Sequence, residues 1–246
     1  MRRISALMAK NRNVRYGTRG NLSDHLTQHL EQAPPVQGGE ASAELTERQK
    51  DVLNAVLRLL VEEGDRLTMT AVARRASCSK ETLYKWFGDR DGLLTATVQW
   101  QASKVRVASV DRERLDMASL TASLERFASD WLSVISSETS IALNRVAVAH
   151  AGSDKRDLGA IVLENGRLAM GRRLKPVLLA GQDKGLLAFE EAEDAFRTFF
   201  GLVARDVQIR LLLGDRLEMT DATIGRDAAQ ATRQFLALYG AQTGAM

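Results

Sequence analysis

The stretch from Thr68 to Leu94, which reads TMTAVARRASCSKETLYKWFGDRDGLL, decides the fold of this chain. Thr68 is a good helix N-cap, because its hydroxyl can accept a hydrogen bond from an unpaired N–H of the first turn. Apolar residues then recur at helical spacing, namely Val72, Ala73 and Ala76. The Ser-Cys-Ser triplet at 77–79 predicts that this helix ends there.

A second helix is expected to begin after Ser79, which can serve as its N-cap. Its buried side is predicted to consist of Leu83, Trp86 and Phe87. Its exposed side is basic, aromatic and hydroxylic, with Lys80, Thr82, Tyr84 and Lys85. Gly88 ends this helix, and Asp89 or Asp91 caps the next. Two short helices joined by a three-residue turn predict a helix-turn-helix, whose second helix enters the major groove of DNA.

These residues resemble the DNA-binding head of the TetR family of bacterial transcriptional regulators. The matching residues are Thr68, Val72, Ala73, Ala76, Ser79, Thr82, Leu83, Tyr84, Phe87, Arg90 and Leu93. Three positions depart from the family pattern: Ser77 replaces a turn glycine, Cys78 a small aliphatic residue and Arg90 a lysine. Serine at position 77 costs about 1 kcal/mol if the turn requires a positive φ angle. None of the three departures removes a DNA contact.

The composition of the chain predicts an all-α fold. Among 246 residues there are only three prolines, and Pro176 is the only one after the Pro34-Pro35 pair. The chain is rich in alanine, leucine, glutamate and arginine, which favour helices. Thr46 is expected to cap a first helix, whose apolar stripe is Val52, Leu53, Ala55, Val56, Leu59 and Leu60. We expect this helix to close a three-helix core with the helix-turn-helix.

Several other classes of protein and site are not favoured by the sequence. No apolar run approaches the roughly 18–20 residues of a membrane span, and the charged N-terminal segment does not resemble a signal peptide. The single cysteine fits a reducing cytoplasm. His25 and His29 have the spacing of a metal pair, but no cysteine is nearby and Asp24 is the only neighbouring carboxylate, so we expect no metal site. Because no cofactor loop or catalytic motif is present, we expect neither a cofactor nor an enzyme.

Charge is concentrated towards the N-terminal side of the chain. The net charge is +2 for residues 1–44, +3 for residues 45–109 and −2 for residues 110–246. An excess of basic residues around a helix-turn-helix is typical of a surface that binds phosphates. We therefore predict three regions: a mobile basic arm at 1–44, a DNA-binding domain at 45–107, and a helical effector-binding and dimerisation domain at 108–246.

The arm contains six basic and no acidic residues in its first twenty positions. Such arms can lie along the DNA backbone or enter a minor groove. The alternatives are an unstructured leader, or translation that begins at Met8 instead of Met1.

The C-terminal part shows apolar stripes that predict further helices. One helix is expected to begin near Glu190 and to carry Phe196, Phe200, Val203, Val207 and Leu211 on one side. The last helix begins at Thr220-Asp221 and repeats Ile224, Ala228, Ala231, Phe235 and Leu238. Their near-heptad spacing predicts packing against other helices. The TetR resemblance implies that the last two helices form a homodimer. The layout from Ser137 to Leu213 also resembles AefR-like regulators.

The resemblance assigns DNA contacts to residues of the helix-turn-helix and its flanks. Lys80 and Glu81 match base-reading positions, where lysine can donate to guanine and glutamate can accept from cytosine. Thr82 and Tyr84 match phosphate-contacting positions, and Lys85 can reach a base or a phosphate. Ser79, Thr70 and Arg90 complete the expected DNA-binding set. The alternative to a DNA contact is packing against neighbouring residues for Tyr84 and simple solvent exposure for Lys85.

A ligand pocket is expected between Trp100 and Met170, since family members hold effectors among the middle helices. The candidate lining residues are Trp100, Met117, Trp131, Asn144, His150, Asn165 and Met170. Ordinary core packing is the alternative for each aromatic residue and methionine. Cys78 is interpreted as a small buried hydrophobe in preference to an oxidation switch.

Together these features indicate a cytoplasmic, dimeric transcriptional regulator that binds double-stranded DNA at a palindromic operator. A repressor released by a small organic effector is favoured over an activator. One alternative is a dimeric DNA-binding protein without an effector, whose second domain is only a packed core. The other is an all-α enzyme with a DNA-binding appendage.

Overall fold

The computed structural model describes residues 45–107, 111, 113–151 and 158–241, with no side-chain description for Asp65 and His150. The basic arm and the pair His25 and His29 lie outside these residues, so the expectations about them remain predictions.

Helices make up most of the described chain, and the predicted all-α fold is confirmed. They are α1 Glu47–Glu63, α2 Met69–Arg75, α3 Lys80–Phe87, α4 Arg90–Ser103, α5 Met117–Ile135, α6 Glu138–His150, α7 Leu158–Val162, α8 Ala169–Asp183, α9 Ala192–Ala204, α10 Val207–Leu212 and α11 Asp221–Tyr239. A π-helical segment, Leu163–Leu168, joins α7 to α8, and a short 3₁₀ turn, Gly64–Arg66, follows α1.

Helix α1 begins after Thr46, as the sequence predicts. Its buried side is wider than the apolar stripe predicted from the sequence. Thr46 and Gln49 form a reciprocal capping box at its start. All the predicted stripe residues are buried, and Leu57 joins them at 2% exposure. Because the buried side of α1 is so wide, the three helices of the head do not cover it alone, in contrast to the expected three-helix core. The apolar core of the head also takes in residues of the second domain, namely Leu143, Val146 and Ala147 of α6 and Leu158 of α7.

Helix α4 connects the head to the second domain. Leu93, Leu94 and Val98 are buried in the head core, whereas Ala102 is buried in the core of the second domain. The helix ends at Ser103. Its last turn is fixed from outside, because the Arg173 guanidinium of α8 donates a 2.8 Å hydrogen bond to the carbonyl of Ala102.

The second core is built by α5, α8, α9 and α11. Four phenylalanines in it are completely buried, namely Phe127, Phe196, Phe199 and Phe235. Thr220 caps α11 as predicted, by accepting a 3.2 Å hydrogen bond from the N–H of Thr223. The predicted stripe of α11 is buried except for Leu238, which is 65% exposed.

The stripe assigned to a single helix from Glu190 to Leu211 belongs to two helices. Arg205 takes a left-handed conformation with φ 42° and separates α9 from α10. This break could not be expected from apolar spacing, since Val207 and Leu211 keep the period and are buried. Arg145 of α6 supports α10 by donating to the carbonyls of Leu211 and Leu212 at 2.8 and 3.1 Å.

An ion pair after α4 links that helix to α5. The Arg106 guanidinium holds both carboxylate oxygens of Asp130 at 2.9 Å, and the Arg106 backbone N–H donates to Asp130 at 2.9 Å as well. Burial raises the pKa of Asp130, but the hydrogen bonds and charge of Arg106 outweigh it and lower this pKa below the ordinary value.

We predict that Asp130→Asn lowers the free energy of unfolding at neutral pH by about 1 kcal/mol. Since the folded-state pKa of Asp130 is lowered, its contribution is present above the unfolded pKa of about 3.9 and is lost as the pH falls through the folded value. Urea unfolding of both proteins at several pH values measures this difference. A gap that stays constant from pH 7 to pH 3 would contradict the ionic origin.

Candidate nucleic-acid interface and ligand cavity

Two side-chain caps define the helix-turn-helix. The Thr68 hydroxyl accepts a 3.1 Å hydrogen bond from the N–H of Ala71, and the Ser79 hydroxyl accepts one of 3.1 Å from the N–H of Thr82. Each cap satisfies an N–H that the helix itself leaves unpaired. The start of α3 is therefore fixed by Ser79, and with it the direction in which α3 presents its side chains.

The turn between α2 and α3 has a positive φ angle at Ser77, the position where the family pattern has glycine. Ser77 has φ 49°, in the left-handed region that glycine adopts without strain. The side chain of Cys78 is half-buried against the head core. Its backbone N–H donates a 3.0 Å hydrogen bond to the carbonyl of Ala73, which closes the end of α2.

Arg48 of α1 supports this turn, a role that sequence reasoning missed. Its guanidinium donates to the carbonyls of Ala76 and Ser77 at 2.6 and 2.9 Å. A cation in the first turn of α1 is unfavourable for that helix, because the helix N-terminus is itself positive. The same cation is favourable at the carbonyl end of α2. An arginine in the first turn of a helix, where its charge is unfavourable, is thus a sequence signal that its side chain bonds carbonyl groups of another segment.

The corner between α3 and α4 is equally constrained. Gly88 has φ 75°, and its N–H donates to the carbonyl of Tyr84 at 2.9 Å. Asp89 then caps α4 by accepting hydrogen bonds from the N–H groups of Asp91 and Gly92. A Cβ atom at Gly92 would lie 2.0 Å from the carbonyl oxygen of Phe87, so no larger residue fits without a shift.

The side chains of α3 are divided as the sequence predicts. Leu83 is completely buried, while Trp86 and Phe87 are half-buried against the head core. The exposed residues include Lys80, Glu81, Tyr84 and Lys85, all members of the expected DNA-binding set. Tyr84 is 52% exposed, which is unusual for a tyrosine that only packs. Thr82 is half-buried, with its hydroxyl 3.1 Å from that of Ser79.

Thr70 and Arg90 flank the recognition helix and are both exposed. Thr70 lies in the first turn of α2. Arg90 begins α4, and its Nε donates a 3.3 Å hydrogen bond to the carbonyl of Leu67, which ties α4 to the start of α2. That bond uses one of the five guanidinium donors, so the others remain able to contact phosphate.

Glu81 is held at the start of α3 as a carboxylate. A hydrogen bond from its own backbone N–H, followed by one from the Ser79 side chain, lowers the pKa of Glu81. The negative charge is also favourable at a helix N-terminus. Glu81 can therefore accept a hydrogen bond from a cytosine amino group. Its hydrogen bonds with its own backbone N–H and with Ser79 also stabilise the start of α3.

A cavity of about 380 Å³ lies beside α4, among α5, α6 and the π segment. Most of its lining is apolar, and the polar lining residues are Gln101, Ser140, Asn144, Arg167 and Gln208. Two of the seven pocket residues expected from sequence, Trp131 and Asn144, line it. Three residues of α4 also form the wall, namely Val98, Gln101 and Ala102.

The structure places four of the other expected pocket residues elsewhere, and the fifth, His150, remains a prediction. Trp100 faces the head, where its Nε1 donates to Asn54 at 3.0 Å, and Met170 is completely buried in the second core. Met117 is 38% exposed at the start of α5. Asn165 accepts a 3.0 Å hydrogen bond from Gln99. His150 ends α6, and its side chain is outside the described part. A sequence stripe cannot distinguish the face towards a cavity from the face towards a neighbouring core.

Gln101 connects the cavity wall to its surroundings. Its side-chain amide donates to the Thr139 hydroxyl at 2.8 Å and accepts from Lys104. Burial lowers the pKa of Lys104. Within the described part of the chain, no cluster of histidine, cysteine, aspartate and glutamate is placed to hold a metal ion. Over the same residues, no helix is long and apolar enough to cross a membrane.

Solved structures with this architecture include a TetR transcriptional regulator from Agrobacterium tumefaciens. It shares 43% identity with this chain at a TM-score of 0.69, over 80% of this chain and 97% of the other. The chain belongs to the TetR family. It is a DNA-binding transcriptional regulator, in agreement with the helix-turn-helix geometry.

The N-terminal and C-terminal parts of this TetR-family regulator each match the description of a protein family. Residues 52–97 match the TetR family of bacterial regulatory proteins, and residues 122–241 match the C-terminal domain of AefR-like transcriptional repressors. These matches confirm the predicted family resemblance for both parts. The matched relatives are transcriptional regulators and not enzymes.

More distant structures share the fold. A TetR-family transcriptional regulator from Mesorhizobium loti is 24% identical at a TM-score of 0.64, over 78% of this chain and 96% of that one. The flavonoid-responsive regulator FrrA is 23% identical at a TM-score of 0.59, over 80% and 98%. No curated protein matches this chain in sequence.

We predict different losses for two single substitutions on α3. Tyr84→Phe removes only a hydroxyl and should weaken binding to every DNA sequence by a similar, several-fold factor, as expected for a lost phosphate contact of about 1 kcal/mol. Lys80→Ala should weaken binding by about 1–3 kcal/mol and also relax the preference at one base position.

Titration of each variant against a specific duplex and a set of single-base changes measures both effects. Equal relaxation of base preference in the two variants would contradict this division of roles. Arg172→Gln on α8 is a suitable control, since this exposed arginine is paired with Glu164 far along the chain from the reading head.

Proposed function

We propose that this regulator is a homodimeric repressor that leaves a palindromic operator when a small organic effector enters the cavity. The observation that carries the proposal is the dual position of α4. Its residues Val98, Gln101 and Ala102 form part of the cavity wall. The same helix begins at the corner that fixes the end of α3.

Effector binding is proposed to act by shifting a conformational equilibrium. A ligand that contacts α4 better in one orientation than in another favours that orientation by its difference in affinity. Because Leu93 and Leu94 anchor α4 in the head core, a tilt of α4 moves the head as well. In a dimer, such a tilt alters the separation of the two recognition helices.

The reading of DNA is assigned to α3 and its flanks. Lys80 and Glu81 are proposed to contact bases, and Lys85 either a base or a phosphate. Thr82 and Tyr84 are proposed to contact phosphates, with Thr70, Ser79 and Arg90 nearby. Glu81 is the acidic member, and its ionised state suits recognition of a cytosine amino group. We place this activity in the cytoplasm, where the DNA is.

The homodimer is proposed to form through the C-terminal helices. Exposed large apolar side chains there support this assignment: Ile209 and Leu213 around α10 and Leu238 on α11, at 54%, 81% and 65% exposure. Contiguous exposed apolar patches mark protein–protein interaction sites, and we propose that these three side chains belong to such a patch. A two-fold dimer places its recognition helices about 34–36 Å apart, in successive major grooves.

The presence of the cavity favours an effector-responsive regulator over a dimer whose second domain is only a packed core. Its volume lies at the lower end of the range typical of small-molecule sites. Its mixture of apolar walls and a few polar groups is also typical of such sites.

Selection of operators from a random duplex library by the purified full-length protein tests the DNA-binding part of the proposal. We expect an inverted repeat to be enriched, and we expect sedimentation of the complex to give an even number of chains per duplex. Enrichment of a single non-repeated site bound by one chain would contradict the dimeric mechanism. Lys80→Ala provides a matched selection in which one position of each half-site should lose its preference.

A further inference from the structure

Among the described residues that line the cavity, Arg167 is the only charged one. Most of its neighbours in the wall are apolar, and the other polar lining residues are neutral. A single guanidinium in such a wall is a strong electrostatic feature, because an apolar surrounding weakens screening by water. This feature favours an anionic ligand over a cationic one.

The guanidinium of Arg167 is only loosely partnered within the described residues. Its nearest carboxylate is Glu193, with a separation of 3.7 Å. Glu193 is engaged more closely by Lys175 at 2.9 Å, and this hydrogen bond is the main cause that lowers the pKa of Glu193. Arg167 otherwise stacks on Phe196 and Phe200, with its guanidinium carbon 5.1 and 5.3 Å from the ring centroids.

The local backbone brings Arg167 to the cavity. Leu163, Gly166 and Arg167 all line it, and all belong to the π-helical segment Leu163–Leu168. Such segments are rare and occur frequently at functional sites, where the wider turn changes the direction of side chains. Gly166 adds no side-chain volume next to Arg167.

An aromatic pair forms another part of the same wall. Trp131 and Phe200 both line the cavity, with ring centroids 5.1 Å apart. The Nε1 of Trp131 is buried, and no described residue accepts a hydrogen bond from it. Arg167 and Trp131 thus both offer N–H donors. Because both groups are donors, a ligand that carries acceptor oxygens is favoured.

We propose that the effector is a small, largely apolar aromatic molecule with one anionic oxygen group, which pairs with Arg167. The ring system would occupy the apolar space beside Trp131 and Phe200. This inference rests on the proposed function, because it specifies the ligand class of the same cavity. Charge complementarity assigns the occupant: an anion matches Arg167, the one cation among the described lining residues, and none of those residues is acidic to receive a cationic ligand.

Two fluorescent probes of similar shape test the inference with the full-length protein. 1-Anilinonaphthalene-8-sulfonate carries a permanent anionic group, and N-phenyl-1-naphthylamine is its neutral counterpart without the sulfonate. We expect Arg167→Gln to weaken binding of the anionic probe by about 10-fold or more, as for loss of a charge-assisted hydrogen bond. Binding of the neutral probe should change less than about 2-fold, within the usual effect of a surface change.

Three further variants identify the site of binding. Val134→Trp fills part of the cavity from α5 and should weaken both probes. Arg114→Gln, which removes an arginine that lies before α5, is 90% exposed and is not among the described lining residues, should leave both unchanged. Arg167→Lys keeps the charge and should retain most of the anionic probe's affinity, which separates charge from disturbed folding.

The possible failures can be distinguished. If both probes bind in the cavity but Arg167→Gln weakens them equally or not at all, the assignment of an anionic ligand is wrong, while the cavity remains a ligand site. If Val134→Trp changes the affinity of neither probe, the cavity itself does not take up such molecules. Both the effector role and this inference are then overturned.

Discussion

The architecture depends on one helix that is buried in two cores. The first half of α4 contributes Leu93, Leu94 and Val98 to the head, and its last turn contributes Ala102 to the second domain. Burying each leucine or valine stabilises the head end of α4 by roughly 1.5–3 kcal/mol. The other end is held by the burial of Ala102 and by the hydrogen bond from Arg173 to its carbonyl. The head and the second domain therefore share one continuous helix.

Arginines fix the ends of several helices from neighbouring elements. Arg48 of α1 donates to carbonyls at the end of α2, Arg173 of α8 to a carbonyl of α4, and Arg145 of α6 to carbonyls of α10. Each guanidinium meets the negative end of a helix and can satisfy carbonyls that the helix leaves free. Basic residues in this chain therefore also stabilise helix ends, in addition to the role in DNA binding that is proposed for those around α3.

The sequence was sufficient for features that depend on neighbouring residues. Caps at Thr46, Thr68, Ser79 and Thr220 follow from a side chain and the backbone N–H three residues later. The apolar stripe of α1 was predictable for the same reason, since helical periodicity is local. The division of α3 into a buried Leu83 and an exposed Lys80 also needed no tertiary information.

Features that join distant parts of the chain could not be predicted in this way. The packing of α6 on α1, the carbonyl partners of Arg48 and the position of Arg167 in the cavity wall all depend on contacts between separate helices. The break at Arg205 was missed because the apolar period continues across it. Of the expected pocket residues, Trp131 and Asn144 line the cavity whereas Met170 is enclosed in the core, and their residue types alone do not separate these environments.

Gly92 has a consequence for how variants of this protein are to be interpreted. Its lack of a side chain allows the carbonyl of Phe87 to approach, at the corner where the recognition helix gives way to α4. A genetic screen for loss of regulation would therefore recover Gly92 together with residues such as Lys80, although a glycine has no side chain with which to read a base. Only a comparison of cellular protein level with operator occupancy separates a residue that shapes the reading head from one that reads.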